Sequence, residues 1–504
     1  MKDCVSLQIL CLLLILPGCI AESPSDNQAG SMVSCEFILD QILDGQSIIY
    51  DGVEIEGDLS LAFLNHSNEI NSSISITNST FKGKFNFAGA IYNKPVIFNG
   101  DTFKEDVDLE GARFQDESSF NDSKFEGAAS FRRSFFNKVA HFEDCRFDAE
   151  SSFTGSVYEN DARYSGAKFS DASFKDVYFS GNTIFGDAKF TRYVTFENST
   201  FLKSASFNKA SFMEKSDLFS SRFVGKAYFF DTDFFDTVSF SESIFRDSFF
   251  NNARFIGNAL FLNSSFLGPV RFLGSNFEQD ALFYKANFSS DIILDGCAFD
   301  KLVLHWSAIR DHIVLNENAE SIFNKLIGNY KTLGWLADAN ECYFDLRKWK
   351  QEKTKWTAIT KVPDIFLENY CGYGTRPLLA LFWIVPIILI FGFVYWLNGG
   401  ISQTSRPDLA REKLNLIARK LSEEAFQIEY LPPEPKKDVS PYKSLARSIY
   451  FSFLVFASRD AGNMQTDGRV SSWVAWERRL GLALFTIFTY YVGKYIISYF
   501  MPGL

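Results

Sequence analysis

Aromatic residues return along this chain at alternating steps of five and six. From Phe98 the series runs through Phe103, Leu109, Phe114, Phe120, Phe125, Phe131, Phe136, Phe142, Phe147, Phe153, Tyr158, Tyr164 and Phe169. It slips by one residue at Phe174, resumes from Phe185 to Phe245, slips again at Phe250 and continues from Phe255 to Leu304. A helix face returns every three or four residues and a strand face every two, so neither alone makes this spacing. A short extended side followed by a corner, repeated around a coil, does. The position two before each aromatic is small, as at Ala112, Ala129, Ala167, Ala188, Ala205, Ala210 and Ala281. Each side therefore points one large and one small residue inward, and the Gly, Asn, Asp and Ser between them suit corners.

The pattern changes on either side of this series. Cys35–Leu43 reads as a short capping helix, followed by strand-like Ser47–Tyr50 and Val53–Leu61, and 317–355 reads as helical. Both would cover coil edges that otherwise invite pairing with other chains. Leu378–Leu397 carries no charge, and Leu480–Phe500 is nearly as apolar, with Lys494 close to its end. Each is long enough to cross a bilayer, and Pro386 is tolerated in such a helix. Between them Ala410, Leu414, Ile417, Leu421, Ala425 and Ile428 share one helical face behind Pro407, and Leu431-Pro432-Pro433-Glu434-Pro435 starts a stiff linker. Residues 1–21, with Lys2, apolar Val5–Leu16 and small Gly18–Ala21, read as a secretory signal. The expected organisation is signal 1–21, cap and first coils 32–75, repeats 76–305, helical cap and linker 306–374, and membrane domain 375–504.

Segments such as Ala167-Lys168-Phe169-Ser170-Asp171 and Ala210-Ser211-Phe212 resemble the pentapeptide-repeat family. The resemblance covers about 76–305. It implies a mainly β fold, a right-handed quadrilateral β-helix, joined here to a C-terminal α-helical membrane domain. The five-plus-six unit, in place of the family's strict five, predicts a bulge on alternate sides. At about 22 residues per coil and about 4.8 Å between coils, about nine to eleven coils would stack to roughly 45–55 Å.

A second resemblance lies in 375–500. Ser448-Ile449-Tyr450-Phe451-Ser452-Phe453-Leu454-Val455-Phe456 resembles the pore helix of two-transmembrane potassium-channel modules. Trp476-Glu477-Arg478-Arg479-Leu480-Gly481-Leu482 is similar to the start of their inner helix. Where the family carries its selectivity filter, this chain has Ala457, Ser458, Arg459, Asp460, Ala461 and Gly462. A potassium filter presents rings of backbone carbonyls to a dehydrated cation. With one glycine left and four copies of Arg459 repelling cations, potassium selectivity does not carry over. Gly372-Tyr373-Gly374 precedes the first span and reads as an interfacial turn instead.

Composition sharpens the picture. Phe supplies 56 of 504 residues, and the net charge of −11 argues against a nucleic-acid surface. Pentapeptide-repeat proteins shaped like a nucleic-acid duplex inhibit a topoisomerase, but export and anchoring speak against that role. Cys145 and Cys297 fall in the small-residue ladder and read as buried packing; Cys342 and Cys371 could pair in an oxidising compartment. The four His are dispersed, so no catalytic, cofactor or metal site is expected. Asn65, Asn71, Asn78, Asn121, Asn198, Asn263 and Asn287 open glycosylation triplets usable on an exported domain.

Export would make the loop between the spans cytoplasmic, and its Lys and Arg residues agree. A conventional channel has its pore loop outside, so either the pore is inverted or the N-terminal segment is no signal. The expected location is the cell membrane, with two transmembrane helices and the β-helix extracytoplasmic. Two functional readings follow. One is a scaffold binding an unknown protein or surface ligand through the solenoid, with the hairpin as anchor. The other is a channel-like homotetramer with a degenerate filter.

Overall fold

The computed structural model describes residues 30–61, 68–355, 361–398, 401–403, 441–459, 461, 464–466 and 471–500. The signal-like segment, Asn65, the amphipathic stretch 410–428, Asp460 and Gly462 lie outside them. The chain divides into two units, 1–247 and 248–504.

In the first unit helix α1 (Cys35–Leu43) buries Ile38, Leu39 and Ile42, and the Ser34 hydroxyl accepts from Phe37 N at 3.3 Å. Coils begin at Met32, ahead of the phenylalanine series, because Ile48, Ile55, Leu59, Ile70, Ile74 and Ile76 fill the inward positions there. The β-solenoid consequently has about 12 turns rather than the nine to eleven expected. All its strand pairs are parallel: Val96 faces Ser118, and Ser118 faces Ala140 one coil further on.

The expected alternate-side bulge is not what separates the five- and six-residue steps. Most sides are two-residue strands of one kind, such as Thr102–Phe103 and Val107–Asp108, a few strands such as Arg222–Tyr228 run on through an open bend, and the difference sits in the corners. One corner, 104–106, is an open bend; the next, Leu109–Ala112, is a turn closed by Ala112 N donating to Leu109 O at 3.0 Å. The third residue of each closed turn has positive φ: Gly100, Gly111, Asp122, Arg133, Asp144, Gly155, Gly166. Gly, Asn and Asp dominate because they tolerate that region best. The slip at Phe174 shortens an open bend to Ser170–Asp171, leaving the closed turns intact.

Inside, rings stack face to face along the coils, as in Phe103–Phe125 (4.9 Å, 7°) and Phe131–Phe153 (5.0 Å, 6°). Neighbouring columns meet edge to face, as in Phe142–Phe153 (5.5 Å, 85°). Such pairs contribute roughly 0.5–1.5 kcal/mol beyond area burial. The small-residue ladder also carries polar atoms. Ser123 Oγ donates to Phe98 O (2.5 Å), Ser134 Oγ to Leu109 O (2.7 Å) and the Cys145 thiol to Phe120 O (2.8 Å). Asp101 occupies the same ladder, fully buried. Its Oδ1 accepts from Ser79 N at 2.7 Å, its Oδ2 has no partner among the described residues, and burial pushes its carboxyl up to about 8.

In the second unit Ser248 pairs with Val270 and Val270 with Ile292. The last strand, Ala298–Val303, is then covered by helices. Trp306–Ile309 (α2) leads to Ala319–Thr332 (α3) and Leu336–Lys353 (α4). Asn329 of α3 bonds both backbone groups of Leu302, accepting from its N–H (3.0 Å) and donating to its carbonyl (2.8 Å), so the edge is closed by a side chain. Lys361–Cys371 (α5) and a 3-10 turn at Gly372–Gly374 lead to Leu379–Leu397 (α6). Cys342 and Cys371 are buried free thiols, contrary to a disulfide; Cys371 Sγ instead donates to Leu367 O within its own helix (3.6 Å). Pro441–Phe456 (α7) and Ser471–Phe500 (α8) complete the second unit.

Candidate functional site

The segment between the two apolar helices builds the site. α6 has 19 residues, about 28 Å at 1.5 Å per residue, close to the hydrocarbon thickness of a bilayer. Ser471–Ile497 of α8 is the second helix long and apolar enough to cross. Both show large apolar side chains to the outside, such as Phe382 (77% exposed) and Trp476 (67%).

α7 runs antiparallel along α6, and its contacts mark the depth. Trp396 Nε1 donates to Ser444 Oγ (2.8 Å) near the end of α6. A Cβ on Gly392 would lie 2.7 Å from Ile449 Cα, and Ser452 Oγ donates to Ile388 O (2.8 Å) halfway along. One turn later Phe456 is buried in a cluster with Ala380, Ile384, Ile388 and Leu484. The chain then returns, because Met464–Thr466 pairs antiparallel with Ile401–Gln403, directly after α6. α7 thus runs back along α6 from its C-terminal end to the level of Ile384, and the chain then returns to the end of α6 where α7 began.

Two features hold it. Gly481 of α8 lets the Phe456 carbonyl approach so closely that a Cβ would sit 2.2 Å from it. Glu477, fully buried, accepts from Tyr395 Oη of α6 at 2.6 Å and from Ser452 Oγ of α7. One carboxyl group therefore joins three helices. A buried acid in an apolar helix is costly and needs such partners. Sequence reasoning gave Glu477 no role; a lone acid on the first turns of an apolar helix was the available signal.

Of the filter-position residues, Ala457 is half-buried, Ser458 and Arg459 are exposed, and Ala461 packs against the Tyr395–Phe451 cluster. Ser458 has φ 54°, and Arg459 N donates to Leu454 O (2.8 Å), which ends α7 with its cap facing outward from the three-helix body. Gly372-Tyr373-Gly374 is the expected turn, with Tyr373 buried and its hydroxyl accepting from Gln351 Nε2 (3.0 Å).

On the coils, Asn71, Asn78, Asn198, Asn263 and Asn287 are exposed. Asn121 is half-buried, its Oδ1 accepting from Glu143 N (2.8 Å). Cys145 and Cys297 are buried, and burial pushes the Cys297 thiol up to about 12. Among the described residues no group of three His, Cys, Asp or Glu could hold a metal ion.

Residues 76–124 and 164–211 match the family described as pentapeptide repeats (9 copies). No curated protein matches the chain, and no solved structure does. With its parallel two-residue sides and left-handed corners, the chain is a β-solenoid of pentapeptide repeats followed by C-terminal helices, two of them long and apolar enough to span a membrane.

Proposed function

We propose that the C-terminal helices form a channel-like module, assembled from several copies around the re-entrant α7, with the solenoid as its extracytoplasmic binding domain. The observation that carries this reading is the exposed Ser458–Arg459 cap, which follows Phe456 at the level of Ile384, within the length of α6. A lone hairpin in lipid would set Arg459 against hydrocarbon, at a cost of up to roughly 2.5–3.5 kcal/mol, the figure for a helix centre. Neighbouring copies around a water-filled axis remove that cost. A tetramer gives four Arg459 side chains at the axis, which suits anions better than cations.

The second reading, an interaction scaffold with the hairpin as its anchor, draws on the loss of the filter's threonine and glycines at 457–462. In either case the solenoid serves binding rather than catalysis.

Ion flux through the purified protein in proteoliposomes decides between them, with Arg459→Ala beside it. Anion-selective flux that Arg459→Ala abolishes or turns toward cations supports the pore. No flux from either form, together with a monomer in detergent, overturns it and leaves the anchor. Glycans on Asn198 and Asn263 in a eukaryotic host, both exposed, would put the solenoid outside.

A further inference from the structure

Where the helical cap meets the end of α8 there is a cavity of about 140 Å³. Its walls include Lys331 from α3, Asn340 and Tyr343 from α4, and Tyr491, Lys494 and Tyr495 from α8. Neither Lys331 nor Lys494 has a hydrogen-bond or ion-pair partner among the described residues. Four carboxylates of the surrounding helices are engaged elsewhere. Glu341 takes Arg376 at 2.9 Å, Asp338 takes His305 at 3.0 Å, Asp345 takes Arg310 at 3.0 Å, and Asp364 takes Arg347 at 2.5 Å. Two ammonium groups without counter-charge, beside phenol and amide donors, make a receptor for an oxyanion. The volume is below the roughly 300–1,000 Å³ of a whole small-molecule pocket, and it suits a single phosphate group.

A second observation says what carries the phosphate. A mostly apolar crevice of about 310 Å³ adjoins the cavity and shares Thr375 and Tyr495 with it; its other walls are Pro377, Leu378, Leu379, Phe382 and Arg376, the last already paired with Glu341. Lys494 lies three residues before Ile497, where the second candidate span ends. That is the depth of lipid headgroups, where Tyr and Lys side chains anchor helices. A charged cavity joined to an apolar crevice has the polarity of an amphiphile.

We propose that the two spaces hold one anionic phospholipid, its phosphate between Lys331 and Lys494 and an acyl chain along Leu378 and Phe382. This rests on the membrane reading above. The lipid would touch α3, α4, α6 and α8 together and so couple the solenoid's cap to the ends of both spans.

The test uses full-length protein reconstituted in phosphatidylcholine alone or mixed with phosphatidylglycerol, and reads the lipid retained after detergent exchange by native mass spectrometry. Phosphatidylglycerol should be retained over phosphatidylcholine. The double variant Lys331→Gln/Lys494→Gln should lower its retention about tenfold, while Lys285→Gln, on the coils, should not. Both lysines are exposed at one end, so an unchanged melting temperature is expected to show that the fold is kept. Undiminished phosphatidylglycerol retention by the double variant overturns the site. Inorganic phosphate that displaces phosphatidylglycerol at equal concentration overturns the lipid in favour of a free oxyanion. Release of the native protein from vesicles by alkaline carbonate refutes the membrane reading itself. A protein that passes no ions yet retains phosphatidylglycerol keeps this site and loses the pore.

Discussion

The coils and the helical module stabilise themselves by opposite means. In the coils every contact is made many times over: a ring on a ring, a closed turn, a small residue whose hydroxyl meets a carbonyl of the preceding coil. In the module each contact is made once. Gly392 admits Ile449, Gly481 admits Phe456, and Glu477 alone joins three helices. Redundancy should make the coils tolerant of polar substitutions in their ladder and costly to hollow out. Uniqueness should make the module fail at single atoms.

Four substitutions test that contrast. Phe153→Ala, in the middle of a stack with Phe131 and Phe174 at 5.0 and 4.8 Å, should cost about 3–5 kcal/mol in urea unfolding. A loss below about 1 kcal/mol would mean that neighbouring coils close over the gap. Glu477→Ala strands the Tyr395 hydroxyl, while Ser452 keeps the Ile388 carbonyl, and should cost about 1–3 kcal/mol in detergent, with Glu477→Gln recovering most of it. Equal losses from the two would show that charge, not hydrogen bonding, matters there.

Among the described residues Asp101 is the one carboxylate in the ladder, and its effect depends on pH. Its ordinary value is 3.8 and its folded value about 8. The folded state binds the proton more tightly, so the stability linked to this group is complete below about pH 4. It falls as pH rises through about 8, by at most about 1.4 kcal/mol per unit. Asp101→Asn should flatten that slope in a pH series of urea midpoints; an unchanged slope would place the dependence elsewhere. Cys145→Ser should be the mildest, within about 1 kcal/mol, because Ser123 and Ser134 already fill equivalent positions with the same donor geometry.

The same contrast explains what could be read from the sequence. A signal repeated some forty times survives any single exception, so the coils, the inward ladders, both caps and the buried places of Cys145 and Cys297 were legible. What was missed was placement within the unit. Step lengths alone do not tell a bulged side from an open bend, whereas the positive-φ residues do. The first coils were expected within 32–75, but the coil count fell short because isoleucine fills the inward positions there without the aromatic marker. In the module, the order helix, short helix, helix was visible, but the depth of α7 was not. Depth depends on two glycines and one glutamate that carry no periodicity.

The closed turns have a further consequence. Their positive-φ residues recur every eleven positions, from Asn78 to Gly296, apart from two ten-residue steps at Asp176 and Asn252. A strand, however, meets its equivalent 22 residues on, as Val96 meets Ser118. Eleven is therefore the unit of the interior and twenty-two the unit of the surface. Removing residues 121–131 would join Phe120 to Arg132 and leave Phe136 five steps on, so the aromatic series would run through the scar unbroken. Everything after it would be turned by half a revolution. Duplication or loss of such a block lets a lineage re-aim one end of the solenoid while its core stays the same.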